Sequence, residues 1–168
     1  MAPRSCRTLD PTKRRIRVLS NRIPPPVVAV LVATGMWMLG NWWSLWRFEL
    51  PAPLLVGLVV ASIGGGISSL GAREFRRAKT TGNPLHPERA SSVVASGIYR
   101  YTRNPMYLGI LFVLLGCFVA FGALSGLVGL PIFIAYMNRF QIRPEERALQ
   151  AKFSREYNEY QAQVRRWV

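Results

Sequence analysis

Apolar residues in this chain gather in three uncharged blocks, residues 23–46, 50–72 and 104–138. An α-helix rises about 1.5 Å per residue, so each block can cross a hydrocarbon layer of about 30 Å. The third block holds 35 residues. As one helix it would measure about 52 Å, more than tilt accommodates, so it must fold back. FGALSG at 121–126, with two glycines and a serine, is where a tight turn fits. The pattern predicts an all-α polytopic membrane protein with four transmembrane helices, near residues 26–46, 51–71, 105–121 and 124–139, the last two a tight hairpin.

The polar segments fill out this plan. Residues 1–22 read as a basic mobile tail and residues 23–168 as a single domain. The polar loop 72–104 is long for a mere connection. Its middle, KTTGNPLHPERASSVVASG, is rich in turn formers whose backbone amides can meet a ligand. In the second block, GGG at 64–66 with Ser68 and Ser69 lets helix backbones approach closely. After the last block comes RPEERALQAKFSREYNEYQAQVRRW, with Pro144 placed for a first helical turn. Leu149, Phe153, Tyr157, Tyr160 and Val164 recur at intervals of four, four, three and four. That spacing predicts one amphipathic helix over 144–163.

Charge gives the orientation. There are 22 Lys and Arg against 8 Asp and Glu, a net charge of +14. Seven basic residues precede Ile23, seven lie in 71–103 and seven follow from Arg139 onward, leaving Arg47 alone in the two short turns. The positive-inside rule then puts both termini in the cytoplasm. Trp42, Trp43 and Trp46 fall at the far interface, where an amphipathic indole sits well. Basic residues beside membrane helices are attracted to anionic lipid, so the charge excess does not imply nucleic acid. Two cysteines, Cys6 and Cys117, and one histidine, His86, give no disulfide framework and no metal-ligand spacing.

No serine or cysteine has a local base, and no P-loop or dinucleotide fingerprint is present. Two polar clusters remain, at residues 99–107 and 139–146. Each lies at the cytoplasmic end of a predicted crossing, and fold-back of the third block brings those ends together. Such a set suits a cationic or zwitterionic cofactor from the water side and an apolar substrate from the lipid side. Each residue also has a plainer use. Arg103 can snorkel, Tyr99, Tyr101 and Tyr107 can anchor at the interface, and Glu145 and Glu146 suit a helix's first turn.

GIYRYTRNPMYLG followed by NRFQIRPEERALQAKFSREYNEYQAQVRRW resembles the isoprenylcysteine carboxyl methyltransferase family of integral membrane proteins, in particular its bacterial branch, and the related phospholipid methyltransferases. The likeness spans residues 80–167 and joins a G-x-Y-x-x-x-R-[HN]-P-x-Y-x-G core to a paired glutamate and an F-x-x-E-Y-x-x-Y ending. It implies S-adenosyl-L-methionine-dependent methyl transfer to a lipophilic or amphipathic acceptor, a carboxylate, thiol or amine, at the cytoplasmic face of a bacterial inner membrane. Carried over by position, the cofactor site comprises Val94, Tyr99, Arg103, Asn104, Pro105, Met106, Tyr107 and a glutamate at Glu145 or Glu146. Arg139 or Arg143 orients the substrate. Asn104 stands where the family often has histidine. Two other readings stay open: an NADPH-dependent membrane sterol or fatty-acyl reductase, whose families resemble this one in the R-[HN]-P-x-Y-x-G turn, and a non-catalytic membrane scaffold.

Overall fold

The computed structural model describes residues 23–43, 46–78 and 92–168. The basic tail 1–22 and the middle of the long loop, 79–91 with His86, lie outside the described residues. Among those described, the regular elements are helices, with one isolated antiparallel bridge between Arg47 and Ala123.

Helix α1 (Pro25–Trp42) opens with two prolines in the first turn, where an intrahelical donor is not needed. It stops at Trp42, short of the 46 that hydropathy suggests. The chain leaves the helix there to lace itself to a distant turn. Arg47 Nη2 donates to the Gly40 carbonyl at 3.1 Å, Phe48 N to Gly122 O at 3.0 Å and Leu124 N to Trp46 O at 3.1 Å. Helix α2 (Pro53–Arg77) runs a turn and a half past its predicted end at 71, and Arg76 and Arg77 complement the negative end of its dipole. Both α1 and α2 are long and apolar enough to cross a membrane. Helix α3 (Pro105–Phe121) is apolar and shorter, and ends on Gly122 at φ 62, the left-handed conformation that glycine adopts without strain.

Past Gly122, the predicted helix 124–139 is not one α-helix but a helical run of changing pitch. It passes through a 3-10 turn (Leu124–Val128), α4 (Gly129–Met137), a π-helical turn (Asn138–Ile142) and α5 (Arg143–Lys152) without leaving helical geometry. Pro144 explains the wide turn: it has no N–H, and its ring would crowd the carbonyl four residues back, at Phe140.

The helix predicted over 144–163 is likewise two helices. Phe153 (φ −125, ψ 43) breaks it into α5 and α6 (Ser154–Gln163). With the corner, Tyr157, Tyr160 and Val164 bury themselves against Val94 and Tyr99, and Leu149 and Phe153 flank them.

Helices α2 and α3 pack backbone to backbone. Gly57, Gly64 and Gly71 face Gly116, Gly109 and Pro105 respectively, and a Cβ on Gly57 would come 2.6 Å from the Gly116 carbonyl. Ser68 Oγ adds a hydrogen bond to Met106 O at 3.1 Å. Gly65 and Gly66, the rest of the triple glycine, have nothing within 4 Å of an added Cβ. The close approach therefore uses every seventh residue of α2, not the GGG run as such. A second apolar cluster, with Val28, Met36, Tyr107, Leu114, Phe133, Met137 and Ile142, ties α1, α3 and α4 together.

Candidate active site

The first turn of α3 and the start of α5 meet at one end of this helical bundle. Tyr107, buried at 6% exposure, donates its hydroxyl to Glu145 Oε1 at 2.5 Å. Glu145 is partly buried. Desolvation pushes its carboxyl up to about 8; the Tyr107 hydrogen bond works against this shift and the neighbouring Glu146 charge adds to it.

Glu146 is placed differently. Arg166 grips it at both carboxylate oxygens, 2.6 and 3.1 Å away, and Arg103 Nη1 lies 3.0 Å from Oε1. The Arg103 contact is an ion pair without hydrogen-bond alignment, so Arg103 Nε and Nη1, both buried, have no hydrogen-bond acceptor among the described residues. Glu146 therefore matches the charge of Arg103, and Nε is the donor left without an acceptor among the described residues.

Tyr99 sits on the 3-10 turn Gly97–Arg100, buried. Its carbonyl accepts the Tyr160 hydroxyl at 2.8 Å and its ring meets Phe75 edge-on at 5.3 Å. Burial, and then the charges of nearby groups including Glu145, hold its phenol well above the ordinary range. Val94 is packed under Tyr99 in the same cluster.

The RNP turn itself is strapped by the end of the sequence. Arg103 N donates to Arg165 O at 3.0 Å, Asn104 Nδ2 to Arg166 O at 2.9 Å, and Trp167 Nε1 to Asn138 Oδ1 at 3.1 Å. Asn104 thus holds the strap with its side chain, while Pro105 and Met106 lie against Gly71 of α2. Of the residues expected at the cofactor, Tyr107 meets Glu145, Arg103 meets Glu146 and Val94 packs with Tyr99, while Asn104 is tied to the strap. The side chains of Arg139 and Arg143 are exposed and make no hydrogen bond or ion pair among the described residues.

A family model described as phospholipid methyltransferase matches residues 52–156, more than half of the chain. The chain belongs to the phospholipid methyltransferase family. That match takes in α2, α3, α4 and α5 and most of the polar residues just described. Family membership assigns methyl transfer as the class of reaction and a membrane as its setting. An uncharacterized protein of Haemophilus influenzae is 43% identical over 63 residues, which is 38% of this chain and the whole of that protein. No solved structure matches.

Two features of this family member escape a reading of the sequence. One is the strap, whose RRW ending counts only as charge until its carbonyls are seen on the RNP turn. The other is Gln141, fully buried in the π turn, with Nε2 on the Ile23 carbonyl at 2.7 Å and no partner for Oε1 among the described residues. A lone polar residue between Phe140 and Ile142 was its only signal.

Proposed function

We propose that this protein transfers a methyl group from S-adenosyl-L-methionine to a lipophilic or amphipathic acceptor, a carboxylate, thiol or amine, at the cytoplasmic surface of a bacterial inner membrane. The observation that carries the reading is the pairing of opposite binding capacities at one buried spot. Arg103, held by Glu146 through Nη1, keeps a buried Nε with no acceptor among the described residues, and Glu145, braced by Tyr107, offers a carboxylate for an ammonium. That donor set fits the charged amino-acid end of the cofactor. When bound, the cofactor supplies a methyl group on a positively charged sulfur, which departs as a neutral thioether.

Of the two glutamates, Glu145 is the one assigned to the cofactor, because Glu146 already has two arginines. Tyr99 and Val94 provide an apolar wall, and the backbone from Asn104 to Tyr107 frames the turn. Arg139 or Arg143, both exposed along the helical run that enters α5, is assigned to steer an anionic acceptor arriving from the lipid side. The residues hold, align and exclude water; a well-oriented pair can gain about 7 to 11 kcal/mol in this way. No acid or base is required when the acceptor is already a thiolate, carboxylate or amine.

The topology that suits this chemistry has four crossings: α1, α2, α3 and the run through α4. Both termini and the loop 72–104 are then cytoplasmic, in line with the seven, seven and seven basic residues against Arg47 alone. Membrane lipid and a lipid-soluble acceptor are the partners, and nucleic acid is not among them.

Calorimetric titration of the detergent-purified chain with S-adenosylmethionine and S-adenosylhomocysteine, with NADPH as control, tests the assignment. Saturable binding of the first two, weakened in Glu145→Gln, is the expected result. Heat from NADPH alone would move the protein to the reductases, and silence from all three would leave a scaffold.

A further inference from the structure

Glu74 lies in the last turn of α2, and only 8% of the residue is exposed. Its carboxylate faces the turn that opens SGIYR. Ser96 Oγ donates to Oε2 at 2.6 Å and Arg77 Nη1 to Oε1 at 3.2 Å. The next residue, Gly97, has φ +58, and a Cβ there would lie 2.6 Å from Glu74 Cδ and 2.8 Å from Oε1. The glycine that opens the G-x-Y motif therefore meets two demands at once. It takes a left-handed backbone, and it leaves the space that the carboxylate fills.

Ser96 and Glu74 stand 22 positions apart, so this contact closes the long loop against the helix it left. Directly after the clasp the chain enters the 3-10 turn that carries Tyr99, and then reaches Arg103. The residue after Glu74 adds a second grip, since the Phe75 ring packs edge-on against Tyr99 at 5.3 Å. Placing a carboxylate against a turn is unfavourable unless its oxygens are hydrogen-bonded, and here one hydroxyl and one guanidinium do that. Arg77 is largely exposed at 61% of its side chain, so Ser96 is the partner held firmly.

We propose that Glu74 is a positioning residue for cofactor binding. By clasping Ser96 and filling the space beside Gly97, it sets the turn from which Tyr99 and Arg103 are presented to the ligand. The ligand's identity rests on the methyltransferase reading; the clasp does not.

The test uses the full chain in nanodiscs, with hydrogen exchange read by mass spectrometry and S-adenosylhomocysteine affinity read by calorimetry. Glu74→Ala is expected to speed amide exchange across residues 97–103 on the order of tenfold, leaving α3 and the melting temperature unchanged. It should weaken S-adenosylhomocysteine binding by about tenfold, the loss of a hydrogen bond to a charged group in a ligand-bearing turn. Glu74→Gln keeps an oxygen for Ser96 and should recover most of that affinity, a rescue that mere helix stability would not give. Ser96→Ala, which leaves α2 intact, should shift both readouts in the same direction. Parental exchange and affinity in Glu74→Ala and Ser96→Ala would overturn the proposal, as would lost protection spread over α2 and α3 with a lower melting temperature. Local exchange as expected in a chain that binds no S-adenosylhomocysteine would keep the clasp and remove the methyltransferase reading.

Discussion

Glu145 and Glu146 are adjacent and chemically identical, yet the fold gives them opposite tasks. Glu146 neutralises Arg103 and Arg166, while Glu145 accepts the Tyr107 hydroxyl and is raised to about 8 by desolvation, with Tyr107 opposing and Glu146 reinforcing. That upward shift favours the protonated form at neutral pH, so pairing with the ammonium proposed above should release a proton. Affinity for S-adenosylhomocysteine should rise as pH is raised from 6 towards 8, by up to about tenfold per pH unit. Calorimetry in buffers of different ionisation enthalpy should register the released proton, and Glu145→Gln should flatten the profile. The sign for stability runs the other way. A carboxyl raised from 4.5 to about 8 binds more protons folded than unfolded between those values. Its contribution is full below 4.5 and is lost as pH climbs through 8, so the parent should lose more melting temperature than Glu145→Gln between pH 5 and 8. Glu146→Gln should instead lower stability at neutral pH, because it leaves two partly buried guanidinium groups without their shared carboxylate. A flat pH profile for binding in the parent would put the ammonium somewhere other than Glu145.

At the scale of elements, the α2–α3 contact holds the RNP turn against the rest. Its glycines are not equivalent. A Cβ at Gly116 would meet the Gly57 carbonyl at 2.5 Å, whereas one at Gly65 would meet nothing within 4 Å. Gly116→Ala should therefore destabilise by about 1 to 3 kcal/mol through overpacking. Gly65→Ala should be neutral or stabilise by about 0.5 to 1 kcal/mol, since alanine loses less entropy in a helix. Thermal melting in detergent separates the two, and equal shifts would contradict the packing. The sequence carried part of this. Uncharged blocks and their lengths locate helices, because burying backbone in lipid demands internal hydrogen bonds, and Gly122 falls within the expected turn. Which glycine in a run of three makes contact is a property of rotation about the helix axis, and hydropathy does not record rotation. The π turn before Pro144 and the corner at Phe153 were hidden for a related reason. Both are local departures from 3.6 residues per turn, imposed by a missing N–H in one case and by packing onto Val94 and Tyr99 in the other.

Across the whole molecule, chain segments remote in sequence converge on the same few residues. Glu145 and Tyr107 are 38 positions apart, and Asn104 and Arg166 are 62 apart. The motif residues were legible as a set because short spacings within each cluster are visible in a string. Their wiring was not, since Asn104 looks like a ligand contact in the sequence but spends its amide on the strap. The two ends of the chain should accordingly differ in what they tolerate. Removing residues 1–20 deletes charge but none of the described contacts of the site, and S-adenosylhomocysteine affinity should stay within about twofold. Removing residues 164–168 strips Arg166 from Glu146, the carbonyl acceptors from Arg103 N and Asn104 Nδ2, and the indole from Asn138. Charge-assisted bonds of this kind contribute about 1.5 to 3 kcal/mol when shielded, and Arg166, with 34% of its side chain exposed, belongs at the low end. A loss of at least about tenfold in affinity is the expected outcome. Arg166→Ala alone should reproduce part of it, because the strap's backbone bonds survive that change. Retained affinity after the C-terminal deletion, or a collapse after the N-terminal one, would mean that the site is closed by the basic tail and not by the strap.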